Sequence, residues 1–187
     1  MPRAFVAIDI DESIRQKLVA AQKQLATVGA DIKLVEPENV HVTMKFLGDV
    51  PDNKIAAITD AIRTAVLGTQ SFDIKIQGIG AFPNMRYIRV IWAGVADGRD
   101  VVIALERNID LELHKLGFPP ERDFVPHLTL ARVRTPRRKE QLVATIEGMV
   151  KDNTEFGDMR AQAVELKQSQ LTSKGPIYTT IARIELG

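Results

Sequence analysis

Cysteine is absent from the 187 residues. That removes disulfides, thiolate metal sites and cysteine nucleophiles together, and it fits a reducing compartment. An excess of either charge is also missing: 25 basic against 24 acidic residues leave a formal net charge of +1. No chain-wide field of the kind that coats nucleic acid results, so any polyanion contact must be local. Long hydrophobic runs are lacking too. The first, Ala4 to Ile8, is stopped by Asp9, Asp11 and Glu12 and is too short for a signal-peptide core. The longest, Val90 to Ala96, has seven residues where a membrane helix needs about 20. A cytoplasmic protein with no membrane partner is expected. No low-complexity linker interrupts the chain, and 45% apolar with 26% charged side chains excludes disorder. A chain of this length buries about 70% of its unfolded surface, enough for a core without staples.

Periodicity divides the chain into alternating blocks. Phe5 to Ile10 reads as a strand, and Asp11 caps a helix with Ile14, Leu18, Ala21 and Leu25 on one face, ended by Gly29. Ile32 to Val35 and Val40 to Leu47 are strands; a helix then opens at Pro51 and Asp52 and turns Ile55, Ile58, Ile62 and Val66 inward. Phe72 to Phe82 and Tyr87 to Val95 form a hairpin. Val101 to Leu116 carries a helical apolar stripe, Val125 to Val133 is a strand, Pro136 to Val150 a helix, and Ala163 to Ser169 with Tyr178 to Leu186 a final strand pair. Hairpins mixed with crossovers favour α+β over a purely parallel sheet. The tetrapeptides His-Val-Thr-Met at 41–44 and His-Leu-Thr-Leu at 127–130 recur after nearly half the chain, each leading into a helix. That hints at a duplication whose halves face each other across a cleft.

Only three histidines exist, and two of them sit in this repeated motif. Strand side chains alternate, so His41 projects with Thr43, and His127 with Thr129. A single His-x-Thr on a half-buried strand is ordinarily a packed, hydrogen-bonded residue; a matched pair asks for chemistry. A metal site is disfavoured because no third histidine, no cysteine and no acidic residue in either tetrapeptide completes a ligand set. In-line displacement at a phosphodiester needs a base on the entering water and an acid on the departing oxygen, on opposite sides of phosphorus. Two imidazoles with an ordinary pKa near 6.5 can share those roles, one neutral and one protonated. The two threonine hydroxyls can hold the non-bridging oxygens.

Basic residues gather after the second motif: Arg132, Arg134, Arg137, Arg138 and Lys139. The last three fall at the expected helix start, where positive charge opposes the macrodipole, and contact with phosphate or an RNA backbone would account for that cost. Arg132 is the sharpest candidate, with Lys45 in a comparable place after the first motif. Phe46 and Tyr178 are candidates for stacking on a base, whereas Trp92 and Phe82 read as core or hairpin packing. His114, in the last turn of its helix, reads as structural.

The segments His-Val-Thr-Met-Lys-Phe-Leu-Gly at 41–48 and Phe-Val-Pro-His-Leu-Thr-Leu-Ala-Arg at 124–132 resemble the two signature motifs of the 2H phosphoesterase superfamily. More narrowly, the chain resembles the RNA 2',3'-cyclic phosphodiesterases, also called 2'-5' RNA ligases. The likeness takes in Asp9-Ile10, Gly117-Phe118, Glu121-Arg122 and Gly-Pro-Ile-Tyr at 175–178; Met44 stands where the family often has leucine. It implies one bilobed α+β domain over 1–187, with two helix-flanked antiparallel sheets related by a pseudo-twofold axis and the motifs facing across a groove. It also implies cofactor-free, metal-independent opening of a 2',3'-cyclic phosphate to a 2'-phosphomonoester. His41 would protonate the leaving O3', His127 would take the proton of water, and Thr43 and Thr129 would bind the phosphate. The residues themselves leave open which histidine is acid and which is base. The expected partner is RNA with a 2',3'-cyclic end, tRNA fragments and nucleotides included, acted on by a monomer. Two further readings remain: reverse 2'-5' end joining, and a non-catalytic nucleotide- or RNA-binding module using the same pocket.

Overall fold

The computed structural model describes residues 1–187. Strands β1 (Arg3–Ile8), β3 (Val42–Asp49), β8 (Ala163–Thr172) and β9 (Gly175–Glu185) form one antiparallel half, in the order β3-β1-β8-β9. The other half, β7-β4-β5-β6, is built from β7 (Glu155–Ala161), β4 (Phe72–Asn84), β5 (Tyr87–Val95) and β6 (His127–Val133). The expected two antiparallel sheets are thus present, but not separate: β3 and β6 join them through one ladder pair, Val42 with Leu128. The short strand β2 (Ile32–Leu34) lies along β6, Lys33 level with Arg132.

Helices cover each half. α1 (Glu12–Ala26) and α4 (Lys139–Asp152) pack on the β7-β4-β5-β6 side, while α2 (Ile55–Val66) and α3 (Arg99–His114) pack on each other and against β9 and β3. The helical stripes read from the sequence supply the core: Ile14, Leu18, Leu25, Ile58, Ile62, Leu105, Ile109 and Leu142 are all at most 1% exposed. None of these helices is long and apolar enough to cross a membrane.

Three local differences from the sequence reading have physical causes. β7 escaped detection because a register shift skips Phe156 and breaks the alternation, so that Phe156 and then Met159 and Ala161 are buried. α4 starts at Lys139 rather than Pro136, because Arg138 takes a left-handed backbone (φ 52°) and donates from Nη1 to the Val28 carbonyl at 3.0 Å. Arg137 and Arg138 therefore precede the helix. Asp11 directly precedes α1, but its side chain makes no capping bond.

Register shifts along β3 matter most for the site. Ala7 pairs with Thr43, Val6 with Lys45 and Phe5 with Phe46, so Met44 and Leu47 are skipped. Simple alternation would put Lys45 on the face of His41 and Thr43; the bulge turns it to the other side.

Candidate active site

The loop leading to His41 is braced from three directions. Arg15 of α1 donates to the carbonyls of Pro37, Val40 and Ile10, the Asn39 Nδ2 donates to Pro176 O at 2.8 Å, and Phe5 stacks on the imidazole with centroids 4.9 Å apart and 20° between planes. Tyr178 meets His41 edge-on at 5.4 Å and Phe5 at 4.8 Å. On the facing half, Phe82 packs edge-on against His127 at 5.0 Å and is itself backed by Trp92 at 5.1 Å. Gly80 makes room for that indole, since a Cβ there would lie 2.2 Å from it. Gln22 of α1 donates to the carbonyls of Val35 (2.7 Å) and Leu130 (2.9 Å), fixing β2 and the end of the second motif together.

Continuing the Val42–Leu128 register by one residue each way sets His41 level with Thr129 and Thr43 level with His127. A cavity of about 190 Å³ opens there, lined by His41, Thr43, Phe46, Thr129, Arg132 and Tyr178. Lys33, Asn39 and Lys174 line it as well; these isolated polar residues carry no pattern that sequence reading could use. His127 does not line this cavity but stands near enough for its charge to count against protonation of His41. Phe46 is 71% exposed at the rim.

Lys45 is the one candidate that the structure removes. It is 4% exposed, pairs with Asp110 of α3 and donates to Pro119 O at 2.7 Å, on the side of β3 away from the cavity. The β3 bulge is the reason. Phe5 and Asn39 are positioning residues that sequence reading missed; Phe82, read as core or hairpin packing, does pack on Trp92 and also supports His127. His114 stays outside the cavity, its Nδ1 bonded to Phe118 O at 3.0 Å.

Each histidine is oriented by the main chain two residues before it. His127 Nδ1 donates to Val125 O at 2.7 Å, and His41 is hydrogen-bonded to the Asn39 backbone. A carbonyl only accepts, so Nδ1 carries the proton and the neutral ring presents a basic Nε2. In His41 that Nε2 lies 2.8 Å from Thr43 Oγ1. Burial lowers the His41 pKa to about 4, helped by Lys167 and Arg15 and opposed by the Asn39 bond. His127 is also lowered, by burial first and Arg132 second, against the Val125 bond. The ordinary value near 6.5 expected from the sequence is therefore not met by either ring, and both surroundings favour the neutral imidazole. Burial raises Tyr178. No group of three or more His, Cys, Asp or Glu side chains is placed to hold a metal ion.

Comparison with known proteins identifies the family. The LigT-like phosphoesterase family profile matches residues 8–92 and again 94–178. The two stretches are offset by 86 residues, which is also the separation of His41 and His127. The RNA 2',3'-cyclic phosphodiesterase of Methanothermobacter thermautotrophicus is 46% identical over 95% of both chains. Among solved structures, TT0787 of Thermus thermophilus superposes with a TM-score of 0.78 at 26% identity, over 98% of this chain and 97% of that one. Escherichia coli LigT in apo form does so with a TM-score of 0.78 at 23% identity, over 99% and 97%.

Proposed function

Since the chain belongs to the LigT-like phosphoesterase family, we propose that it hydrolyses RNA 2',3'-cyclic phosphate ends to 2'-phosphomonoesters, with His41 and His127 as the acid and base. The observation that carries this reading is the placing of two His-Thr pairs level with one another, on the two halves that meet at Val42 and Leu128.

The phosphate occupies the space between Thr43 and Thr129, with Arg132 on its charge. The Thr43 hydroxyl, hydrogen-bonded to His41 Nε2, turns to a phosphate oxygen and frees Nε2. Burial first, and repulsion by Lys167 and Arg15 after it, disfavour protonation of His41; the substrate's negative charge works against both, and His41 takes up a proton. Water attacks phosphorus opposite O3' and gives a proton to His127 Nε2. The water oxygen–phosphorus bond forms, the phosphorus–O3' bond breaks, and O3' receives the proton of His41. Exchange with solvent resets both rings. With an RNA 5'-hydroxyl in place of water, the same ring-opening step, forming the 5'-oxygen–phosphorus bond and breaking phosphorus–O3', would join ends 2'-5'.

The direct test is incubation of an oligoribonucleotide bearing a 2',3'-cyclic end with the protein in chelator, with the product isomer assigned by phosphorus NMR. A 2'-phosphomonoester supports the reading. Tight binding with no turnover would instead make the cleft a non-catalytic nucleotide site.

A further inference from the structure

A second cavity of about 560 Å³ runs from Arg132 between the start of β5 and the segment entering α4. Arg132 lines both it and the first cavity, so the two adjoin at that side chain. Its other charged lining residues are Arg89, Arg134, Arg137 and Lys139, and no Asp or Glu lines it. None of these five cations takes part in any of the protein's ion pairs. In a chain of net charge +1, five unpaired positive charges along one groove repel one another and favour an anionic occupant. The floor is apolar, from Ile88 and Leu142. Tyr87, 57% exposed, presents its ring at the edge with the Arg89 guanidinium 4.9 Å from its centroid.

We propose that this groove binds the single-stranded RNA immediately upstream of the cyclic end. The inference rests on the reading of the first cavity given above. That cavity, at about 190 Å³, is smaller than the roughly 300–1,000 Å³ that holds a drug-sized ligand, so it takes the terminal unit alone. A 2',3'-cyclic phosphate closes the 3' end, so the remaining strand leaves only in the 5' direction, and the shared Arg132 marks a charged exit. Unpaired arginines track phosphates, and the Tyr87–Arg89 pair offers a stacking platform for a base, a combination that holds single strands without reading sequence. Arg138 is excluded, being committed to Val28 O. The enzyme therefore favours oligonucleotide ends over cyclic mononucleotides.

The test compares wild type with Arg89→Glu, Arg137→Glu and the double variant, all exposed positions outside the reacting centre, after a thermal melt confirms folding. For an oligoribonucleotide of about eight nucleotides ending in a 2',3'-cyclic phosphate, the double variant should lose tenfold or more in kcat/KM, mostly through KM. For a 2',3'-cyclic mononucleotide it should stay within about twofold. The salt dependence of oligomer binding should flatten by about 0.7 in log–log slope for each phosphate that is no longer neutralised. Equal losses on both substrates, or no loss on the oligomer, would overturn the groove. If wild type turns over neither substrate, the hydrolase reading fails by itself. The groove is then judged by fluorescence anisotropy of a labelled single strand, where unchanged binding by the double variant, or equal competition by duplex RNA, overturns it.

Discussion

Val42 of β3 and Leu128 of β6 are the single ladder pair through which the two four-stranded halves meet. Each is at most 1% exposed, and each is the immediate chain neighbour of a histidine. This buried contact holds the two histidine-bearing strands side by side, and Arg15 of α1 braces the His41 side across the joint. Such a joint brings together groups 86 residues apart while leaving an open wedge on the side where the histidines lie.

The pH profile follows from the lowered pKa values. Catalysis needs one ring protonated and one neutral, and kcat/KM reports the free enzyme. With His41 lowered to about 4 and His127 also below its ordinary value, the singly protonated form is depleted as pH rises. The kcat/KM should therefore already be falling as the pH rises through about 6.5, the ordinary imidazole value. Once the anionic substrate is bound, imidazolium is favoured, so the fall in kcat should lie at higher pH than the fall in kcat/KM. Rates measured between pH 5 and 9 check this; coincident limbs would remove the phosphate from contact with the histidines.

Lys167 is the leading charge acting against His41. It bonds Asp9 at 3.0 Å and Glu165 at 3.1 Å. Lys167→Gln keeps a hydrogen-bonding side chain and removes the charge, while Arg183 and Thr180 still serve Glu165. The His41 pKa, followed by proton NMR of its ring, should rise, and the acid side of the activity profile should move with it. An unmoved His41 resonance would show that burial alone sets its value.

Thr43→Ala deletes the hydroxyl 2.8 Å from His41 Nε2 and one proposed phosphate ligand. A hydrogen bond to a charged group is worth about 1.5–3 kcal/mol, so kcat/KM on a cyclic end should drop roughly ten- to hundredfold. Thr129→Ala should do likewise. Unaltered kinetics in both variants would take the hydroxyls out of the reaction.

Lys45→Met separates structure from substrate binding. Removing the cation leaves Asp110 buried with only the Glu121 N–H at 3.0 Å, which should cost about 3–5 kcal/mol in chemical unfolding. At a temperature where the variant remains folded, KM should be unchanged. The opposite pattern, full stability with a raised KM, would return Lys45 to the substrate.

These residues also show what could be read from the chain and what could not. The paired His-x-Thr tetrapeptides were legible because period-two alternation put each hydroxyl beside its imidazole, and the helical stripes were legible because their spacing matches 3.6 residues per turn. Lys45 was misplaced because a bulge in β3 is set by pairing with β1, a contact between distant segments that local alternation does not encode. The aromatic supports had the same problem: Phe5 and Phe82 reach the histidines across strands. The lowered histidine pKa values depend on burial, and that of His41 also on Lys167, 126 residues away. The basic run was visible, but only the structure separates Arg138, tied to Val28, from Arg137 in the groove.

The most direct measurement is single-turnover hydrolysis of an oligoribonucleotide 2',3'-cyclic phosphate by His41→Ala and His127→Ala, each shown to be folded and to bind the oligomer. An acid and a base that each contribute about 10²–10⁴ in rate predict that either variant loses at least a hundredfold in the chemical step while binding persists. A variant that opens the ring at close to the wild-type rate would contradict two-histidine catalysis.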